Sequence, residues 1–160
     1  MSRDKIRIVL DTSVLVSALK SKNPRRSPAW RILKALVTEE VENYLSEEIF
    51  EEMSRILMEI AEKTERETLA LQILTLIKWK SIVVYSQPMF SRDSEFINKL
   101  KDSSDAKFFD VAYAANAEYI ISENTKHIVQ MRDETTKTYR FDGKAVKILR
   151  AVEFVREVLG

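Results

Sequence analysis

The sequence predicts an α/β fold in which helices cover a mainly parallel sheet. Short apolar runs alternate with amphipathic helical patterns along the 160 residues, an order typical of strand–helix–strand units. The first run, Ile6–Leu10, contains four branched apolar residues, as expected of a strand buried on both faces. The composition agrees, because 45% hydrophobic and 32% charged residues are typical of a folded globular domain.

The first half of the chain supplies three of the predicted strands. Pro28 is favoured in a first helical turn, and Ser46 is a typical N-cap for the helix that follows it. On these signals and on the spacing of apolar residues, predicted strands cover 6–10, 41–45 and 81–85, and predicted helices cover 14–19, 28–37, 47–63 and 65–80.

The second half of the chain continues the alternation with shorter elements. No internal repeat, low-complexity tract or linker interrupts it, so we predict one domain over residues 1–160. The segment 135–143 is ambiguous. Predicted helices cover 94–101, 103–117 and 151–159, a short helical turn covers 126–131, and predicted strands cover 118–122 and 145–149.

Absent residue types exclude many common kinds of enzyme site. Without cysteine the chain has no disulfide, thiol nucleophile or thiolate metal site. Two glycines, Gly143 and Gly160, cannot form a glycine-rich phosphate-binding loop, and one histidine, His127, cannot form a two-histidine acid–base pair. An enzyme built on this chain would depend on carboxylates and a hard cation.

Charge and hydropathy indicate a protein without a membrane segment. No apolar run approaches the ~20 residues of a membrane span, and charge interrupts the N-terminal segment before a signal-peptide core can form. We therefore expect a cytoplasmic protein. The net charge of +1 gives no general basic field. One loop, residues 20–26 (the basic loop), is either solvated or a local phosphate-binding patch formed by Lys20, Lys22, Arg25 and Arg26.

Asp11 follows the first predicted strand directly, at the end where ligands gather in open α/β sheets. Two interpretations of this carboxylate are open. Asp11 is either the N-cap of the following helix or a ligand-binding group at the edge of the sheet.

Asp105 is the acid whose position points most clearly toward a core. It precedes Phe108, Phe109 and Ala112 by three, four and seven residues, which places all four side chains on one helix face. An acid that only favours the start of a helix need not face inward. Asp110 projects nearly opposite this face and is predicted to be solvated.

Two further segments offer polar groups with weaker signals. On the predicted helix 47–63, Glu52 is the acid of the first turns that lies nearest the apolar stripe, although such a residue ordinarily extends into water. The strand predicted at 118–122 ends in polar residues. Any of three could lie at its mouth: Ser122, Glu123 or Asn124.

A divalent cation would reconcile these acids with a folded protein. Two or three carboxylates in one cleft raise each other's pKa and oppose folding. Mg²⁺ and Mn²⁺ prefer oxygen ligands, and Mg²⁺ is typically held by one or two carboxylates while it keeps water. We therefore interpret Asp11 as a metal ligand at a strand end.

Four segments resemble the motifs of PIN-domain nucleases, in the same order. DTSVLVSAL (residues 11–19) is similar to the opening motif, and LSEEIFEEM (45–53) to the second, in which a glutamate follows a serine by six residues. DSSD (102–105) resembles the third motif, whose acid opens a helix, and AEYIISEN (117–124) resembles the fourth. The resemblance spans almost the whole chain.

The resemblance implies a three-layer α/β/α Rossmann-like PIN domain with a central, mainly parallel sheet. It also implies an Mg²⁺- or Mn²⁺-dependent endoribonuclease that hydrolyses phosphodiester bonds of single-stranded RNA. Asp11, Glu52 and Asp105 would be the catalytic acids and metal ligands. Asn124 stands where many members carry a fourth acid; its oxygen could bind the metal, but it adds no charge, so one or two metal ions are both open.

The resemblance further implies protein partners, and the expected hydrolysis would draw on supporting residues. Many members are toxins of toxin–antitoxin pairs, neutralised by a small antitoxin protein, and they often form homodimers. Ser13 or Ser122 would orient the acids, and the basic loop would hold the RNA backbone. Independently of the resemblance, we expect His127 to lie near the end of the site and to bind phosphate at most.

Asn124 also motivates an alternative function. A PIN domain that has lost its activity would act as an RNA-binding or protein-interaction module. A phosphoacceptor domain is disfavoured because the third predicted strand ends in Tyr85, Ser86 and Gln87, without an aspartate. A phosphatase with a D-x-D motif is disfavoured because Ser13 occupies the second acidic position.

Overall fold

A central sheet forms the framework of the described part of the protein, residues 4–160 of a computed structural model. Residues 1–3, with which the predicted domain begins, lie outside the described residues. Within residues 4–160, six strands form the sheet: β1 (Ile6–Leu10), β2 (Val41–Leu45), β3 (Ser81–Val83), β4 (Tyr119–Ile121), β5 (Thr138–Phe141) and β6 (Lys144–Leu149).

The sheet is mainly parallel, as predicted. Its strand order is β3-β2-β1-β4-β6-β5, and every neighbouring pair is parallel except β5 with β6. The central strand β1 pairs with β2 on one side and β4 on the other, and its residues Ile8, Val9 and Leu10 are fully buried. The apolar run is continuous over Ile8, Val9 and Leu10 because this part of the strand is covered on both faces and has no side that meets water.

Helices cover both faces of this sheet. α6 packs against β1, β2 and β4, while α1, α2, α3, α4 and α7 contact one another in a second layer. The fold is therefore three-layer α/β/α. Among the described residues, no helix combines the length and the apolar character that crossing a membrane requires. The described helices are α1 (Thr12–Lys20), α2 (Pro28–Val37), α3 (Glu47–Thr64), α4 (Glu67–Lys80), α5 (Ser94–Leu100), α6 (Ala106–Ala115) and α7 (Ala151–Phe154).

Local backbone signals decide where some elements end. The predicted helix 103–117 is divided into a 3-10 turn, Ser103–Asp105, and α6, because the Asp102 carboxylate accepts a backbone hydrogen bond that starts the turn. α6 ends where Asn116 adopts a left-handed φ of 52°. β3 stops at Val83, two residues before the predicted end.

The ambiguous segment 135–143 contributes the first strand of a β-hairpin. β5 and β6 pair antiparallel, and the two residues between them, Asp142 and Gly143, have positive φ values of 47° and 76°. Asp-Gly is a strong hairpin signal because both residues tolerate this backbone. That dipeptide could have identified β5 from the sequence.

The parallel strands bring distant polar residues to one edge of the sheet. Leu10 of β1 lies beside Ile121 of β4, and the residues that follow them are Asp11 and Ser122. The Asp11 backbone N–H donates to the Ile121 carbonyl at 2.9 Å, which extends the ladder by one residue. Side chains 111 positions apart therefore meet at this edge.

Candidate functional site

Asp11 is a buried carboxylate at the end of β1. It is 3% exposed, and the hydroxyls of Ser13 and Ser122 donate to its Oδ2 at 2.6 and 2.7 Å. Asp11 does occupy the N-cap position of α1, but its side chain makes no capping hydrogen bond to the described residues of that helix. Burial raises the pKa of Asp11, the two hydroxyls oppose the rise, and the Glu52 carboxylate adds to it.

Ser13 and Ser122 form a small network that orients Asp11. Their hydroxyl oxygens lie 3.4 Å apart, and each accepts a backbone N–H at 2.9 Å, Ser13 from Glu123 and Ser122 from Asn124. Each hydroxyl oxygen therefore accepts one hydrogen bond from the backbone, and the hydroxyl donates its own hydrogen to Asp11. The two predicted orienting residues thus contact the acid directly; their part in catalysis stays a prediction.

Glu52 projects from the second turn of α3 toward the same edge of the sheet. Its Oε2 accepts from the Thr12 hydroxyl at 2.8 Å, and its Oε1 accepts from the Lys107 ammonium at 2.8 Å. The side chains of Glu52 and Lys107 are 15% and 10% exposed, so water screens their ion pair only weakly. This glutamate therefore turns inward and is tied to the residue next to Asp11.

Lys107 is not among the residues predicted for the site, although the sequence of α6 offers a signal for it. The helix carries two charged residues, Lys107 and Asp110, in an otherwise apolar sequence, AKFFDVAYAA, rich in alanine and aromatic residues. A helix that is apolar all round is buried all round, so its charged groups need partners. The prediction that Asp110 is solvated is wrong: it is 4% exposed and accepts the backbone N–H groups of Met89 and Phe90 at 3.0 and 2.6 Å.

Asp105 ends the 3-10 turn that leads into α6, and it is 8% exposed. Its Oδ2 accepts from the Asn124 amide nitrogen at 3.1 Å and lies 3.3 Å from Nδ1 of His127. The pKa of Asp105 is raised to about 6, first by burial and then by the negative charges of Asp11 and Asp102. The inward direction predicted for Asp105 is confirmed by this burial.

The three predicted acids share one electrostatic environment. Glu52 raises the pKa of both Asp11 and Asp105, and Asp11 raises that of Asp105. The Lys107 ammonium donates to Glu52 and to the Ser104 carbonyl, and among the described residues it forms an ion pair with neither Asp11 nor Asp105, so it does not offset the repulsion between those two aspartates. Partly buried oxygen donors that repel one another are suited to a hard divalent cation.

A second grouping places a histidine next to these acids. Within the described residues, one ligand atom each from Asp102, Asp105 and His127 lies within 4.8 Å of the other two, a grouping to which Asp11 and Glu52 do not belong. Asp105 thus interacts with the other two acids on one hand and contacts the His127 imidazole on the other. Imidazole nitrogen is a ligand for transition metals, whereas Mg²⁺ prefers oxygen. His127 therefore lies within the site and not only at its margin.

Asn124 and Glu123 leave β4 in different directions. Asn124 turns its amide nitrogen toward Asp105, and its Oδ1 accepts the backbone N–H of His127 at 3.1 Å. Binding a metal through that oxygen would require the amide to turn over. Glu123 instead accepts from Arg150 at 3.1 Å, just before α7, and so does not replace an acid at position 124.

The basic loop lies at the far end of α1 from Asp11. The helix has nine residues, which is about 13 Å of rise, and the loop follows its last turn. The structure does not bring the loop to the carboxylates, and its contact with RNA stays a prediction. All four of its basic residues are exposed: Lys20, Lys22, Arg25 and Arg26.

Comparison with known proteins agrees with the order of the motifs. A family model described as PIN domain matches residues 7–126. The uncharacterized protein MJ1680 of Methanocaldococcus jannaschii is 30% identical over 159 residues, which cover 98% of this chain and 94% of that protein. The structure of VapBC-1 from nontypeable Haemophilus influenzae aligns at 17% identity with a TM-score of 0.46, over 76% of this chain and 89% of that chain.

The matched residues contain the three predicted acids and stop one residue before His127. They run from β1 to just past Asn124, and they include Asp11, Glu52 and Asp105. PIN domains are in general nucleases that use divalent metal ions. By its sequence match and by its three-layer fold, this chain belongs to the PIN-domain family.

Proposed function

We propose that this protein is a cytoplasmic, Mg²⁺- or Mn²⁺-dependent endoribonuclease that hydrolyses phosphodiester bonds of single-stranded RNA with one PIN domain, residues 1–160. The pair of buried carboxylates at one sheet edge carries the proposal: Asp11 and Asp105 both have raised pKa values. Burial of two repelling carboxylates costs free energy, and such costs are concentrated at functional sites.

The acids suit a divalent cation in donor type and in charge. Asp11 and Asp105 would hold it, because the two serine hydroxyls meet Oδ2 of Asp11 and leave its Oδ1 to a ligand. When bound, the cation supplies positive charge that stabilises the transition state of phosphodiester cleavage and makes the attacking water easier to deprotonate. Asn124 would hold Asp105 in place through its amide nitrogen.

Glu52 would position the attacking water or receive its proton. Thr12 and Lys107 bind one oxygen each, so the carboxylate is held in a single orientation beside Asp11. Ser13 and Ser122 do the same for Asp11. In this proposal Asp11 and Asp105 would bind the cation, the two serine hydroxyls would orient Asp11, and Glu52 would position the water or take up its proton.

Cleavage of labelled single-stranded RNA tests this proposal. We expect the purified protein to cut the RNA with Mn²⁺, to stop in EDTA, and to recover when Mn²⁺ is restored. Single-stranded DNA and duplex RNA are the substrate controls and should be cut more slowly. Cleavage that continues in EDTA would contradict the metal requirement, and intact RNA beside a protein that binds Mn²⁺ would contradict the activity.

Replacing Lys107 with glutamine should tighten Mn²⁺ binding by about tenfold while it slows RNA cleavage. The substitution removes a positive charge 2.8 Å from Glu52, so the site becomes more negative, and Glu52 loses one of its two orienting hydrogen bonds. Isothermal titration calorimetry measures the affinity without any need for activity. Lys126→Gln is the matched control at an exposed lysine near the site, and weaker Mn²⁺ binding by Lys107→Gln would refute the prediction.

A second candidate function rests on the neutral side chain at position 124. A PIN domain with Asn124 in place of an acid, and with Lys107 paired to Glu52, carries less negative charge for a cation. Such a domain would act as an RNA-binding or protein-interaction module. Calorimetry separates the two functions, because an inactive module would take up neither Mg²⁺ nor Mn²⁺ at millimolar concentration. The small antitoxin partner, toxin function and homodimer stay predictions of the family resemblance.

A further inference from the structure

We propose that a cleft beside Glu52 binds one nucleobase of single-stranded RNA, with Tyr85 as its stacking surface and a preference for bases that carry an amino group. The inference rests on the proposed ribonuclease function and names the part of the substrate that the site recognises. We call this feature the base cleft.

The base cleft lies between the start of α3 and the segment that follows β3. It is lined by residues 46–48 on one side, by side chains within 84–91 on the other, and by Lys107. Its volume is about 660 Å³, within the range of about 300–1,000 Å³ that is common for small-ligand sites. Because Lys107 Nζ is 2.8 Å from Glu52, a base in the cleft would be next to the acids.

The outer wall of the base cleft is anchored at both ends. The Val84 backbone N–H donates to the Leu45 carbonyl at 2.8 Å, which holds the wall to the end of β2. At the other end, the buried Asp110 carboxylate accepts the backbone N–H groups of Met89 and Phe90. Hydrogen bonds from a backbone segment to a buried carboxylate are strong, so the wall of the cleft has a defined shape.

Tyr85 lies on this wall, and its side chain is exposed to solvent. The residue is 86% exposed, although the segment around it is anchored, so its ring contributes little to packing. Single-stranded RNA is commonly bound by stacking of bases on such exposed aromatic rings, which every base can do. An anchored, exposed ring on the rim of a cleft that adjoins the acids has the placement that a stacking residue needs.

The charges of the base cleft favour a base over a phosphate and select among bases. Glu47 and Glu48 line the same cleft as Tyr85, and carboxylates repel phosphate but accept hydrogen bonds from amino groups. Cytosine presents an amino donor at the edge where uracil presents an acceptor. Lys107, the cation of the cleft, lies at the end nearest Glu52, where the RNA backbone would pass.

Fluorescence anisotropy with labelled RNA hexamers tests the stacking role of Tyr85. The Asp11→Asn background keeps the RNA intact during titration. We expect Tyr85→Ala to weaken binding by about 5- to 150-fold and Tyr85→Trp to retain it. Trp79→Ala is the matched control, because Trp79 is 74% exposed on α4 and lies outside the cleft. Because Tyr85 and Trp79 are both exposed, we expect these three variants to keep the melting temperature of the parent protein.

A second comparison tests the choice of base, with oligocytidine and oligouridine as probes of similar stacking area. We expect tighter binding of oligocytidine by about threefold to tenfold, and loss of that preference in a Glu47→Gln/Glu48→Gln variant. Equal binding of the two probes by the parent protein would overturn the amino preference. Binding that Tyr85→Ala leaves unchanged would overturn the base cleft while the ribonuclease proposal stands, whereas absence of any RNA binding would overturn both.

Discussion

Replacing Asp11 with asparagine should lower Mn²⁺-dependent RNA cleavage by about 1,000-fold or more while the protein keeps its fold. Asp11 is the proposed metal ligand at the end of β1, where two serine hydroxyls orient it. Asparagine supplies one neutral carbonyl oxygen in place of the two oxygens of a charged carboxylate. Single-turnover cleavage of a labelled RNA measures the loss.

The stability of the Asp11→Asn variant separates loss of chemistry from loss of structure. Burial raises the pKa of Asp11, so above that pKa its ionisation opposes folding, and removal of the charge should leave the melting temperature equal or higher. Asp142→Asn is the matched control, because its positive φ of 47° in the Asp-Gly turn suits asparagine equally well. Full cleavage by Asp11→Asn would remove Asp11 from the mechanism.

Replacing Asp110 with alanine should destabilise the protein by about 3 kcal/mol, the largest effect on stability that we expect from a single polar residue. The substitution leaves two backbone N–H groups, of Met89 and Phe90, and the Ser91 hydroxyl without the carboxylate that they share. For a protein of this size the melting temperature should fall by about 6–12 °C. Thermal unfolding followed by circular dichroism measures the change.

Asp133→Ala is the control for the Asp110 prediction. Asp133 also accepts two backbone N–H groups, from Thr135 and Thr136, but it does so in an exposed turn where water can replace it. We expect this variant to lose less than about 1 kcal/mol. Asp110→Asn, which keeps one acceptor oxygen, should recover part of the loss. Equal costs for Asp110→Ala and Asp133→Ala would show that burial of Asp110 does not matter.

The parallel sheet and its order of elements were predictable because their signals are local. Three consecutive buried apolar residues, Ile8–Leu10, have few arrangements other than a strand covered on both faces. Ser46 does cap α3, by accepting the Ile49 N–H at 3.2 Å, and so the start of that helix follows from one residue type. The hairpin at Asp142 was predictable by the same logic.

The position of Asp11 and the direction of Asp105 also follow from the sequence. Asp11 comes directly after a buried strand, and Asp105 keeps a helical spacing to buried aromatic residues. Both observations need only the periodicity of one element. What each carboxylate binds depends on residues from other elements, so the sequence left Asp11 open between a cap and a ligand.

Tertiary structure alone decided which partners the charged groups take. Lys107 pairs with Glu52 across 55 positions, and the charge of Asp110 is matched by a segment that folds back over α6. No periodicity of one helix can reveal such pairs, because each depends on which element covers that helix. The sequence by itself determined the layers, the position of Asp11 at the end of β1 and the family. Packing between elements determined the partners of the charged groups, since a buried carboxylate or ammonium needs hydrogen-bond partners or a counter-charge, and these come from whichever element covers it.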